Sequence, residues 1–162
     1  MSNEIEDKVQ KWLSDAGLIR QKMQDDNTTF HFVINYPEDN VMDVMQPKQS
    51  PDSIAVGCAT NVSPQHISEM RNLSHKKRED FLWDLRFMIN SQPVDFQLQH
   101  PNNVLENFVI SAEIFEDGLS KDRLISTLKS VFRAKIMCVW KIQRELGYDG
   151  EERDYTSDGM YV

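Results

Sequence analysis

At 162 residues, the chain has the length of one globular domain, and its 40% hydrophobic and 27% charged residues are typical of a soluble protein. The net charge of −8 argues against a general nucleic-acid binder, which needs a cationic face. No apolar run approaches the roughly 20 residues of a membrane span. The start, MSNEIEDKVQ, lacks the basic and apolar regions of a secretory signal, so a cytoplasmic protein is expected.

The first third of the chain predicts one helix followed by a strand meander. Apolar residues recur at helical spacing from Ile5 to Ala16, between a cap at Ser2 or Asn3 and a stop at Gly17. Alternating or short apolar runs then predict strands at 18–23, 28–36, 41–46 and 53–60. Because the links between these runs are short, we expect antiparallel pairing.

The remainder predicts three helices and two strands. Ser63-Pro64 starts a short helix, and Ser74 caps a longer one that runs to Ser91. Strands follow at 94–98 and 108–114. Ser120 caps the last helix, which Gly147 ends. The core stripe predicted for this helix comprises Leu124, Leu128, Val131, Phe132, Ile136, Val139, Ile142 and Leu146.

These elements predict an α+β fold in the order α-β-β-β(-β)-α-α-β-β-α. The expected architecture is a mostly antiparallel sheet of five or six strands, covered by helices on one face. A single domain would span residues 1–147. Residues 148–162 form an acidic C-terminal tail that we expect to be flexible.

The helix at 74–91 has two apolar faces where a sheet-covering helix needs one. Phe81, Leu82, Leu85, Met88 and Ile89 form a core-facing stripe. Trp83 and Phe87 fall on the opposite side, among Asp80, Asp84 and Arg86. An intramolecular cover by the last helix or the tail, a homodimer contact, and a groove for another protein are three explanations. Aromatic anchors with a charged rim are typical of interfaces.

The last helix is basic, with seven Lys/Arg against two acids over residues 119–146. These side chains can form a solvated face, or they can pair with the acidic tail or with an acidic protein. Nucleic-acid binding is a further alternative, and the lack of surface aromatics argues against it. Lys135 falls inside the apolar stripe, where its stem can snorkel or lie at the edge of an interface, or its ammonium can meet an acid. The candidate basic face is Arg123, Lys129, Arg133, Lys141 and Arg144.

No residue pattern predicts catalysis, a metal site or a cofactor. The four histidines lack ligand-type neighbours, and Cys58 and Cys138 lie far apart, as expected of buried free thiols. The alternative hypothesis is a small-molecule sensor or enzyme on the open sheet face. Its polar residues would be His31, Asn35, Gln97 and Glu113.

The runs FLWDLRF at 81–87 and VDFQL at 94–98 resemble an uncharacterised, largely archaeal domain-of-unknown-function family. QPK at 46–48, DGLSKDRL at 117–124, and Lys135, Trp140 and Lys141 add to the likeness. The family is similar in element order to type III secretion chaperones, a helix–sheet fold that dimerises and binds extended protein segments. That resemblance implies fold and does not fix function.

Taken together, the sequence predicts a non-enzymatic, cytoplasmic, chaperone- or adaptor-like domain that binds a protein partner or a second copy of itself. The predicted contact residues are Trp83, Phe87, Asp80, Asp84 and Arg86. We expect no nucleic acid, membrane or cofactor among its partners.

Overall fold

The computed structural model describes residues 3–147, so the predicted tail at 148–162 lies outside the described residues. Within that range the chain forms four α-helices and six strands, with two short 3-10 helices, one on either side of the last strand. The helices are α1 (Glu4–Asp15), α2 (Pro64–Arg71), α3 (His75–Asn90) and α4 (Lys121–Leu146). The strands are β1 (Ile19–Met23), β2 (Thr28–Asn35), β3 (Val41–Pro47), β4 (Ser53–Asn61), β5 (Asp95–Gln99) and β6 (Asn107–Phe115). The predicted α+β class and element order are confirmed.

The strands form one antiparallel sheet in the order β1-β2-β3-β4-β6-β5. The first four strands follow one another as hairpins, as their short links predicted. The chain then leaves the sheet through α2 and α3, and β6 returns between β4 and β5. This insertion places the two halves of the sheet side by side, with Gly57 of β4 opposite Ser111 of β6.

Strand alternation separates a helix-covered face from an open face. In β2, Phe30, Phe32 and Ile34 are buried, whereas His31 and Val33 between them are only partly buried. A side chain of this size contributes roughly 1.5–3 kcal/mol when buried, so the face with three such residues is fixed toward the core. The apolar faces of the four helices join this cluster.

α4 is the longest helix and packs against β4, β6, α2 and α3. Ser120 caps it by accepting a hydrogen bond from the Arg123 backbone N–H. The predicted core stripe is buried except at Phe132 and Leu146, which are partly buried, and both Phe132 and Ile136 lie outside the hydrophobic core cluster. Phe132 and Ile136 instead line a surface groove.

Lys135 does not snorkel. Its side chain is only 1% exposed, and its ammonium donates a hydrogen bond to Asn40 Oδ1 at 2.5 Å. Asn40 is itself buried in the turn between β2 and β3. A hydrogen-bonded amide oxygen therefore replaces water around the ammonium, and α4 is joined to a turn 95 residues earlier in the chain.

Candidate functional site

The outer face of α3 carries two aromatic side chains outside the core. Phe81, Leu82 and Leu85 are buried against the sheet. In contrast, Trp83 is 48% and Phe87 69% exposed. Within residues 3–147, α4 therefore does not provide the full intramolecular cover that was one of the three explanations. Covering by the tail lies outside the described residues.

The two aromatics form an ordered pair. The rings of Trp83 and Phe87 stack with centroids 5.8 Å apart and planes 30° apart. The Arg86 guanidinium lies 4.8 Å from the centroid of the Trp83 ring, a cation–π distance. Arg86 also contacts His100 Nε2 at 3.1 Å, which connects α3 to the turn after β5. We call Trp83, Arg86 and Phe87 the α3 aromatic surface.

The predicted acidic residues flank this surface, each beside a lysine. Asp80 lies 3.6 Å from Lys76 on the preceding turn of α3. Asp84 lies 3.4 Å from the Lys141 ammonium, across the contact between α3 and α4. Both carboxylates are about 60% exposed, so each pair adds little stability and leaves its carboxylate able to meet another molecule.

Lys141 does not belong to an exposed basic face, contrary to the prediction. This side chain is 13% exposed, contacts Asp84 and Glu145, and has its ammonium 5.7 Å from the Phe81 ring centroid. Its side of α4 faces α3 rather than solvent, which helical spacing alone did not show. The other four predicted residues, Arg123, Lys129, Arg133 and Arg144, are exposed.

An apolar groove on α4 was missed by the sequence reasoning. Trp140 is 58% exposed, and with Phe132 and Met137 it lines a cavity of about 390 Å³. Arg133 stands at the same groove and raises the local positive charge. The spacing of Phe132, Ile136 and Trp140, four residues apart, was the signal that could have revealed a second apolar stripe.

The open sheet face does not bring together the four polar residues of the alternative hypothesis. His31 shares a row with Met45, Ala55 and Glu113 on neighbouring strands. Strands are about 4.8 Å apart, so His31 and Glu113 are separated by roughly 14 Å. Gln97 lies one strand farther, on β5. The predicted convergence is therefore wrong, because β3, β4 and β6 stand between these residues.

His31 belongs instead to a local group that was not predicted. Its Nε2 lies 2.7 Å from Asp43 Oδ1 on β3, and its Nδ1 lies 3.6 Å from Asp25 Oδ2. The β2–β3 register places His31 and Asp43 near each other across the hairpin. Asp43 is hydrogen-bonded to one ring nitrogen, and Asp25 lies near the other beyond hydrogen-bond distance, an arrangement that favours a structural role. No group of His, Cys, Asp or Glu within residues 3–147 is arranged to hold a metal ion.

Both cysteines are buried free thiols, as predicted. Burial raises the pKa of Cys138 to about 12 and also raises the pKa of Cys58, an effect that the charge of Lys135 opposes. An unfolded thiol has a pKa of about 8.5 and loses its proton first as the pH rises. The contribution of the neutral thiols to the free energy of unfolding is therefore fully present below about pH 8.5. It is lost progressively as the pH rises above that value.

We expect Cys138→Ala to weaken the alkaline loss of stability. Between about pH 9 and 11, the free energy of unfolding of the wild type should fall more steeply than that of the variant, by about 1 kcal/mol per pH unit. Denaturant unfolding across this pH range measures both slopes, and Cys58→Ala is the matched comparison. Parallel slopes for wild type and Cys138→Ala would refute the assignment.

The comparisons with known proteins place the chain in a family. A model described as "Uncharacterized conserved protein (DUF2299)" matches residues 5–142. The chain therefore belongs to the DUF2299 family, which confirms the predicted resemblance to an uncharacterised family. No match was found among curated proteins. No helix within residues 3–147 is long and apolar enough to cross a membrane.

Two solved structures are similar to this chain. A crystal structure of an uncharacterized protein from Methanothermobacter thermautotrophicus is 50% identical, with a TM-score of 0.86, over 88% of this chain and 99% of that one. YbjN of E. coli, a candidate transcription regulator, is 13% identical with a TM-score of 0.51, over 86% and 91% of the two chains. The second likeness shows the fold alone. The similarity to type III secretion chaperones stays a prediction.

Proposed function

We propose that this member of the DUF2299 family is a non-enzymatic, chaperone- or adaptor-like domain that binds protein through the α3 aromatic surface. The observation that carries the proposal is the exposed, stacked pair of Trp83 and Phe87. Exposing both rings forgoes a burial energy of roughly 1.5–3 kcal/mol for each fully buried side chain, which a bound partner would recover.

The surroundings of the pair support a contact surface. Arg86 holds the Trp83 ring from one side, so binding would cost less side-chain entropy than it would for a mobile tryptophan. Asp80 and Asp84 supply a charged, solvent-exposed rim. An aromatic centre with Arg and a polar rim is the composition enriched at protein interfaces.

The size of the surface favours a partner that adds contacts beyond the two rings. Large aromatics bury about 150–250 Å² each, whereas a stable interface buries about 800 Å² per partner. Trp83 and Phe87 would therefore be the centre of a wider contact. The proposal covers two partners, another protein and a second copy of this chain, and mass measurement distinguishes them.

Capture from the source organism's lysate tests the proposal with the full chain as bait. We expect Trp83→Ser/Phe87→Ser to lose the protein that the wild type captures, because the central anchors are gone. In parallel, size-exclusion chromatography with light scattering should give a dimer mass that the double variant loses if the partner is a second copy.

Phe115→Ser is the matched control, because Phe115 is also exposed but belongs to the end of β6 rather than to α3. It should keep both capture and mass. A wild type that is a monomer and captures the same proteins as the double variant would contradict the proposal.

A further inference from the structure

The solvent-facing side of α4 combines apolar and cationic side chains along its length. Trp140, Phe132 and Met137 line the groove of about 390 Å³, although the opposite side of α4 already supplies the core. Basic residues stand before, within and after this groove at helical spacing. We call the following residues the α4 outer face: Lys129, Phe132, Arg133, Ile136, Met137, Trp140 and Arg144.

The positive charges of this face form no ion pair in the described part of the chain. None of the ion pairs between residues 3 and 147 uses Lys129, Arg133 or Arg144. Lys141, in contrast, is paired with Asp84 and Glu145 on the α3 side. The α4 outer face therefore fits an occupant that is both acidic and apolar.

We propose that residues 148–162 of the same chain bind along the α4 outer face. This segment, YDGEERDYTSDGMYV, holds five acidic residues against one arginine, and three tyrosines and a methionine among its apolar residues. Its acids complement Lys129, Arg133 and Arg144, and its aromatic rings fit the groove beside Trp140. The proposal does not depend on the α3 aromatic surface.

The connection to α4 allows the segment to run back along the helix. Gly147 follows the last helical residue with φ of 85°, and this positive φ, which favours glycine, ends the helix. The centre of the groove, near Ile136, lies 11 residues earlier, or roughly 16 Å along the axis. About five extended residues span that distance, so the segment is long enough.

Trp140 reports on this contact in the full chain. We would replace Trp12 and Trp83 by phenylalanine, which leaves Trp140 as the only tryptophan, and measure acrylamide quenching of its fluorescence. Replacing Tyr148, Tyr155 and Tyr161 by serine should raise the quenching constant severalfold, since the groove loses its occupant. The matched control keeps Trp83 as the only tryptophan, and its quenching should not change.

A second measurement needs no tryptophan substitution. Carbodiimide joins a carboxylate directly to an amine, so the wild-type chain should form cross-links between an acid of 149–158 and Lys129. Lys76, an exposed lysine on α3, is the control and should form none with this segment. High salt should weaken the Lys129 cross-link, because the Debye length falls to about 3 Å at 1 M.

Three outcomes would overturn the inference. Equal quenching of Trp140 with and without the tyrosines would show that the segment does not cover the groove. Cross-links of equal yield at Lys129 and Lys76 would show only random encounters. Protection of Trp140 that grows with protein concentration would assign the groove to a second copy, because an intramolecular contact is independent of concentration.

Discussion

Lys135→Ala should lower the free energy of unfolding by about 3–5 kcal/mol, the largest single effect expected in this protein. The substitution removes a long buried stem and leaves the Asn40 Oδ1 atom without the ammonium that donates to it. Asn40 also donates from Nδ2 to the Tyr36 carbonyl at 2.7 Å, which fixes Asn40 within the β2–β3 turn. Because Lys135 joins α4 to Asn40, its removal also weakens the attachment of this turn to α4. Urea unfolding measures the change.

A double-mutant cycle separates the hydrogen bond from packing. Lys135→Met keeps most of the side-chain volume, and pairing it with Asn40→Leu removes the polar partner as well. We expect the loss of unfolding free energy in the double variant to be smaller than the sum of the two single losses by at least about 1 kcal/mol. Lys129→Ala, on the exposed side of the same helix, should change stability by less than about 0.5 kcal/mol. A Lys135→Ala loss as small as the Lys129→Ala loss would contradict the buried position.

The second large effect is expected at Leu85. Leu85→Ala should cost about 2–5 kcal/mol of unfolding free energy, because the side chain is fully buried between α3 and the sheet. Phe87→Ala, two residues away on the same helix, should cost less than about 1 kcal/mol, since 69% of Phe87 is already in solvent. Thermal or urea unfolding of the two variants measures the contrast.

This pair of substitutions also tests whether the two faces of α3 have separate roles. Leu85→Ala should leave partner capture intact under conditions where the variant is folded, whereas Phe87→Ala should weaken capture. If Phe87→Ala costs as much stability as Leu85→Ala, Phe87 belongs to the core, and the α3 aromatic surface is not free for a partner.

Local patterns predicted most of the fold. The alternation around Phe30, Phe32 and Ile34 identified both the strand and its buried face, because strand side chains repeat every two residues. Serines at helix starts predicted helix boundaries correctly: Ser63, Ser74 and Ser120 each accept a hydrogen bond from a backbone N–H of the first turn. Such features depend only on neighbours in sequence.

Features that depend on distant partners could not be predicted in the same way. A helical wheel places Lys141 on the polar side of α4, but only the packed structure shows that α3 lies there. The wheel likewise shows Lys135 within the apolar stripe, but it does not show the buried Asn40, whose Oδ1 accepts a hydrogen bond from the Lys135 ammonium. In both cases the partner is more than 50 residues away in sequence.

Sheet order explains the failed convergence on the open face. Hairpins are local, so the β1–β4 meander followed from short links, but the insertion of β6 between β4 and β5 is a long-range arrangement. That insertion separates His31 from Gln97 by three intervening strands. The candidate contact residues on α3 do not depend on sheet order, because they all lie on one helix, and their role in binding stays a prediction.

Photo-cross-linking from α3 tests the central claim most directly. A benzophenone amino acid would replace Phe87 in the full chain, expressed in cells of the source organism, with the same replacement at Phe115 as the control. We predict one dominant protein adduct from position 87, either another protein or a second copy, that is absent from position 115. The same adducts from both positions, or none from position 87, would contradict a protein-binding role for the α3 aromatic surface.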